Sequence, residues 1–99
     1  MIDAGVWDRA QVVPATWIES ATTPRVELDV CNYGYQWWLC ASEEGDRILE
    51  GSGNGGQELL VLPELDLVLV VNAGLYNEPE PWKPAWNVLE KVVIPALQR

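Results

Sequence analysis

The sequence predicts an α/β chain of the α+β type: a small antiparallel sheet of about four strands, with a short N-terminal helix and a C-terminal helix packed on it. Three patterns point there. Gly51-Ser52-Gly53-Asn54-Gly55-Gly56-Gln57 leads into two apolar runs, 58–62 and 67–73, joined by Pro63-Glu64-Leu65-Asp66, the form of a flexible loop opening a β-hairpin. Residues 33–39 alternate Tyr33, Tyr35, Trp37 and Leu39 with Gly34, Gln36 and Trp38, as a strand with one packed face does. Trp86, Leu89, Val93 and Leu97 recur at helical spacing, with Val88, Val92 and Ala96 widening the stripe. At 99 residues the chain is a single domain, 1–99, because two cores would each be too small to stand alone.

The elements follow in order. Asp3-Ala4-Gly5-Val6-Trp7-Asp8 reads as a helix end capped by glycine and followed by a turn, which suggests that a segment precedes it. Residues 14–21 start with Pro14 at a first-turn position and stop before Thr23-Pro24, a short helix expected to bury Trp17, Ile18 and Ala21. Residues 22–32 read as loop, 33–39 as a strand, and Ser42-Glu43-Glu44-Gly45 as a turn before a short strand over 47–50. The runs 58–62 and 67–73 are the third and fourth strands. The last, nearly continuous in Val and Leu, is expected at the centre of the sheet, covered on both faces. Residues 77–84 form a proline-punctuated loop, and the helix over 85–97 should bend or end near Ile94, because Pro95 removes one backbone donor.

Composition excludes several classes of partner. The net charge is −9 with six Lys plus Arg, a surface that repels phosphate backbones and anionic lipid, so no nucleic acid and no membrane is expected. No apolar run approaches the roughly 20 residues that cross a bilayer. Met1-Ile2-Asp3-Ala4-Gly5 has neither the basic nor the apolar region of a secretory leader, which makes the cytoplasm the default expectation. Six Trp and no Phe put indoles into the core, each needing a partner for its ring N–H or a wet edge. Cys31 and Cys40 would stand at the two ends of a straight strand, at about 3.3 Å per residue, so both are expected as free thiols. With no His in the chain, neither a zinc site nor any other cofactor is expected.

A search for chemistry finds no complete active site. Gly51-x-Gly53-x-x-Gly56 formally matches a dinucleotide fingerprint, but that motif needs a helix after the glycines, and a hairpin follows here. A phosphate-binding loop lacks its Gly-Lys-Ser/Thr. The serines are Ser20, Ser42 and Ser52, and none has a lysine three residues on. Lys83 and Lys91 read as solvated charges, and the pairs Glu43/Glu44 and Glu64/Asp66 as exposed turn residues.

Four stretches in order resemble the C-terminal part of the serine β-lactamase and penicillin-recognising superfamily, in its class C-like esterase and amide-hydrolase branch. They are Ala4-Gly5-Val6-Trp7-Asp8 with Gln11-Val12-Val13-Pro14-Ala15-Thr16-Trp17, then Tyr33-Gly34-Tyr35-Gln36-Trp37-Trp38, then Gly53-Asn54-Gly55-Gly56-Gln57 with its hairpin, and finally Ile94-Pro95-Ala96-Leu97. The resemblance implies a partial β-lactamase or transpeptidase-like fold and an acyl-enzyme chemistry in the complete relatives. It assigns a substrate-binding role to Gly51, Ser52, Gly53 and Asn54. Gly51 takes the Lys or His slot of the family's third triad, Ser52 the hydroxyl slot, and Gly53 the position where substrate nears the backbone. Asn54 inherits the N–H that faces the oxyanion, a donor worth roughly 3 kcal/mol where the rest of the site exists. The departures are that Gly51 carries no charge and that the step from triad to hairpin is one residue shorter than in the class C enzymes. The family's Ser-x-x-Lys and Tyr-x-Asn are absent from these 99 residues.

The expected function is therefore a C-terminal portion of a β-lactamase-like serine hydrolase that does not catalyse alone. Two alternatives stand beside it: a free-standing self-associating or ligand-binding module, and one chain of a split hydrolase. The expected partner is a second copy of the chain or the N-terminal hydrolase segment.

Overall fold

A computed structural model describes residues 2–28 and 31–97. After a turn of 3-10 helix at Ile2–Gly5, β1 (Val6–Trp7) and β2 (Ala10–Gln11) form a two-stranded hairpin. Its turn, Asp8-Arg9, has both residues at positive φ (49° and 66°), the backbone of a tight hairpin whose twist matches its strands. Helix α1 (Ala15–Ala21) follows. A meander of β3 (Asn32–Tyr33), β4 (Trp38–Ala41), β5 (Arg47–Gly53), β6 (Gln57–Leu62) and β7 (Leu67–Val71) then makes a five-stranded antiparallel sheet in sequence order. The chain closes with α2 (Lys83–Val88), a π-helical turn at Leu89–Val93, and α3 (Ile94–Leu97). The architecture is α+β, as the sequence predicts, with five strands in the main sheet rather than about four and a small hairpin besides.

The core lies on one face of the sheet. Ile48 on β5, Leu60 and Leu62 on β6, and Leu89 and Ile94 on the closing helix are all at most 2% exposed, with Cys40, Trp38, Trp86, Leu67 and Leu69 packed around them. Burying an aliphatic side chain of this size contributes about 1.5–3 kcal/mol, so these five residues hold helix and sheet together. The opposite face is also apolar. It carries Leu49 and Val61, which are buried, but also Val68 and Val70, which are 51% and 59% exposed.

Strand β7 is a correction to the sequence reading, which put residues 67–73 at the centre. It pairs only with β6 (Leu60↔Leu69, Leu62↔Leu67) and forms the edge of the sheet among the described residues. Consecutive hairpins always leave their last strand outside, and no described segment doubles back to cover it. Its burial alternates between half-buried and exposed instead of being complete on both sides.

Residues 33–39 are not one strand either. β3 and β4 are antiparallel partners (Asn32↔Leu39, Tyr33↔Trp38) joined by a turn in which Gln36 has φ 67°. That reversal overturns the expectation of free thiols. It brings Cys31 opposite Cys40, with Cα atoms 4.6 Å apart, and the two form a disulfide. The turn is fastened to α1: Tyr35 N–H donates to Ala21 O at 3.0 Å, and Gly34 lies so close that a Cβ would fall 2.2 Å from the same oxygen. Trp17, expected inside, is instead 53% exposed and stacks on Tyr35 at 5.6 Å, with the Arg25 guanidinium over the same tyrosine ring at 4.6 Å. Ala21 is buried and Ile18 half-buried.

Pro95 shapes the closing helix one turn earlier than expected. It has no N–H for the carbonyl four residues back and its ring crowds that carbonyl, and the backbone widens to a π turn over Leu89–Val93 without leaving right-handed geometry (Ile94 φ −60°, ψ −48°). The extra residue rotates the apolar face. Ala85, Leu89 and Ile94 enter the core, and Leu97, assigned to the stripe by α-helical spacing, is 53% exposed.

Thiol titration of the unreduced, denatured chain should find no free thiol, and two after reduction. A variant with both cysteines changed to Ser should lose about 2–3 kcal/mol of stability, read as a lower urea midpoint, because the closed loop is short.

Candidate functional site

The glycine cluster precedes the β6–β7 hairpin, as the sequence predicts, and is itself the tip of the β5–β6 hairpin rather than a free loop. Gly51, Ser52 and Gly53 belong to β5 and pair with Leu59, Glu58 and Gln57 of β6, and Asn54-Gly55-Gly56 is the tip. Gly55 and Gly56 have φ of +92° and +89°, where side chains are strained, and a Cβ on Gly55 would meet the Tyr76 ring at 2.7 Å. The tip is fastened from outside. Leu75 N–H donates to Gly55 O at 2.9 Å, Asn77 N–H to Asn54 Oδ1 at 3.1 Å, and the Gln57 amide to Ala73 O at 2.6 Å.

Pairing of β5 with β4 ends at Trp38↔Glu50, whereas pairing with β6 runs on to Gly53↔Gln57. Gly51, Ser52 and Gly53 therefore lie past the last β4 partner, along a shallow cleft of about 390 Å³ that Gln36, Leu59 and Val70 also line. Three of the four resemblance-assigned residues share this cleft. Asn54 stands apart at the tip, with its side-chain oxygen bound to Asn77.

Strand alternation sends other side chains of the same two strands to the helix side. Ile48, Glu50 and Ser52 on β5 face the same way as Glu58, Leu60 and Leu62 on β6. Two carboxyls are thereby buried among leucines, Glu50 at 7% and Glu58 at 2% exposure. Each has a partner chosen by geometry. The Trp86 ring N–H donates to Glu50 Oε2 at 2.9 Å, and the Ser52 hydroxyl donates to Glu58 Oε1 at 2.9 Å. Burial pushes the Glu58 carboxyl up to about 7, the Ser52 hydroxyl opposes that, and the neighbouring Glu50 adds to it. Glu58 Oε2 has no donor to accept from, but when protonated it becomes a donor itself, and Glu50 is the acceptor beside it. One proton between the two carboxyls resolves both the orphaned oxygen and the like-charge contact.

Above Glu50 opens a cavity of about 660 Å³ between the helix and the sheet, lined by Trp38, Trp82, Trp86, Cys31, Glu50 and Ser52, with Leu28 and Ala41 at its margin. Glu50 Oε1 also lies 3.7 Å from Cys40 Sγ, but that sulfur is in the disulfide and has no proton to give. The ligand atoms of Cys31, Cys40 and Glu50 sit within 4.8 Å of one another, yet a closed disulfide offers no thiolate to a metal.

The sequence reading found no hydroxyl beside a proton acceptor. The fold supplies one pair, Ser52 with Glu58, which a six-residue separation across a hairpin conceals. Below pH 7 that acceptor already holds a proton, so the contact positions Ser52 more than it activates it. Glu50 and Glu58 were also missed. Their signal was a carboxylate in phase with inward-facing Ile48, Leu60 and Leu62, visible only once the strand phase is set. Lys83 pairs with Glu80, and Lys91 is exposed on the π turn. Among the described residues no helix is long and apolar enough to cross a membrane. A scan of protein-family models, a search of curated proteins and a search of solved structures each found no match to this chain.

A folded-state carboxyl raised to about 7 stabilises the protein fully below its ordinary value of 4.5, and that contribution is lost as pH rises through 7. Glu58→Gln keeps an acceptor for Ser52 and a donor for Glu50. It should flatten the decline in stability between pH 5 and 8 by up to about 3 kcal/mol, measured by urea unfolding at each pH.

Proposed function

We propose that this chain is the C-terminal portion of a β-lactamase-like serine hydrolase, contributing a substrate-facing strand and the closing helix, and that it does not catalyse alone. The observation that carries this reading is the rim of β5. Gly51, Ser52 and Gly53 run beyond the last β4 partner beside an open cleft, and a hairpin and a C-terminal helix follow in the order the resemblance implies. Glycine at 51 and 53 leaves the backbone accessible to a planar acyl group, and a β-strand rim offers N–H and C=O groups for it to pair with. What is missing is an activated nucleophile. Ser52 stands on the strand that rims the cleft, but its hydroxyl turns to the helix side and donates to a carboxyl protonated up to about 7, and neither lysine lines the cleft.

The second half of the proposal concerns the sheet face opposite the closing helix. Val68 and Val70 are more than half exposed there, next to the unpaired edge of β7, and such an edge favours pairing with another chain. In the intact hydrolase the N-terminal part covers this face; with the chain alone, a second copy does.

Purified chain mixed with a chromogenic ester and a β-lactam should give no turnover above buffer and no mass shift on Ser52. An acyl adduct on this polypeptide alone would sink the proposal. Light scattering at micromolar concentration should give twice the chain mass, and Val68→Lys with Val70→Lys should return it to the monomer with the circular dichroism spectrum unchanged.

A further inference from the structure

We propose that the indole-walled cavity over Glu50 is a binding site for a small organic cation, an alkylammonium or quaternary ammonium group. The inference does not depend on the hydrolase reading, because the cavity lies on the helix side of the sheet. At about 660 Å³ it has the size of a small-molecule site. Three of the chain's six tryptophans line it: Trp38 from β4, and Trp82 and Trp86 from the start of the closing helix. Indole faces attract cations more strongly than any other side-chain ring.

The hydrogen-bonding groups decide the charge of the occupant. No lysine or arginine lines the cavity. The Trp86 N–H already donates to Glu50 and the Ser52 hydroxyl to Glu58, which leaves the Trp38 and Trp82 ring N–H groups as the side-chain donors of the lining without a partner among the described residues. An anion meets the Glu50 carboxyl and no positive charge to offset it, and a neutral polyol gains nothing from that charge. A cation finds the Glu50 carboxyl, whose Oε1 has a proton-free disulfide sulfur at 3.7 Å, and aromatic walls for its alkyl groups. The net charge of −9 favours approach of the same class of ligand. Burial matters here: Glu50 is 7% exposed, so its attraction for a charge in the cavity is less screened than at the surface.

The test is a fluorescence titration of the six-tryptophan chain, checked by calorimetry, with choline and with 3,3-dimethylbutanol, its neutral isostere of the same shape. Choline should bind saturably and at least about tenfold tighter than the neutral isostere. Glu50→Gln should remove that preference, and Trp82→Ala, at the exposed side of the cavity, should weaken choline binding by about fivefold or more with the fold intact by circular dichroism. If Glu50→Gln fails to fold, the choline-to-isostere ratio on the natural chain and the Trp82→Ala variant still decide. Equal binding of both probes, no saturable binding of choline up to about 10 mM, or no effect of Trp82→Ala would overturn the inference.

Discussion

The hydrogen bond from the Trp86 ring to Glu50 is the contact on which the helix-side architecture depends. It joins residues 36 positions apart, at 2.9 Å, across the boundary between closing helix and sheet. A carboxyl at that depth needs a donor, because an unpartnered polar group in an apolar interior costs several kcal/mol. The tryptophan needs an acceptor for the same reason. Each therefore fixes the other, and the bond ties α2 to β5. Glu58 and Ser52 extend the arrangement along the strand, so the polar chain runs Trp86, Glu50, Glu58, Ser52 from helix to cleft rim. Three of these four residues, Trp86, Glu50 and Ser52, line the cavity.

What the sequence made legible was periodicity, and what it concealed was pairing. The turn at Pro63-Glu64-Leu65-Asp66 was evident because proline followed by a residue that tolerates left-handed geometry has few other uses; Asp66 does adopt φ 51°. The closing helix was equally evident from its stripe. The hairpin within 33–39 was not, because its turn carries Gln36 at positive φ, where glycine or asparagine would have announced it. That single misread placed the cysteines far apart and turned a disulfide into two thiols. Val and Leu in 67–71 gave the strand but not its place in the sheet, since an apolar run has the same composition at an edge as at a centre.

The site was legible to a lesser degree than the fold. Gly51, Ser52 and Gly53 gather at one cleft, as residues i to i+2 on one strand must. Glu58 is brought to Ser52, and Glu50 to the helix side beside them, only through the register Glu50↔Leu60 and Ser52↔Glu58, which no local pattern encodes. Long-range partners of buried carboxyls are set by which strand faces the helix, and that is a property of the assembled sheet.

The π turn at Leu89–Val93 has a consequence of its own. With one residue more than an α-helix would need between Leu89 and Ile94, this stretch is in effect a one-residue insertion, accommodated without breaking the coil. Excising Val92, which is 61% exposed and packs against nothing in the core, would return the isoleucine to four positions after Leu89. The helix would shorten by about 1.5 Å with its greasy side unbroken, and only the direction of its final turn would change.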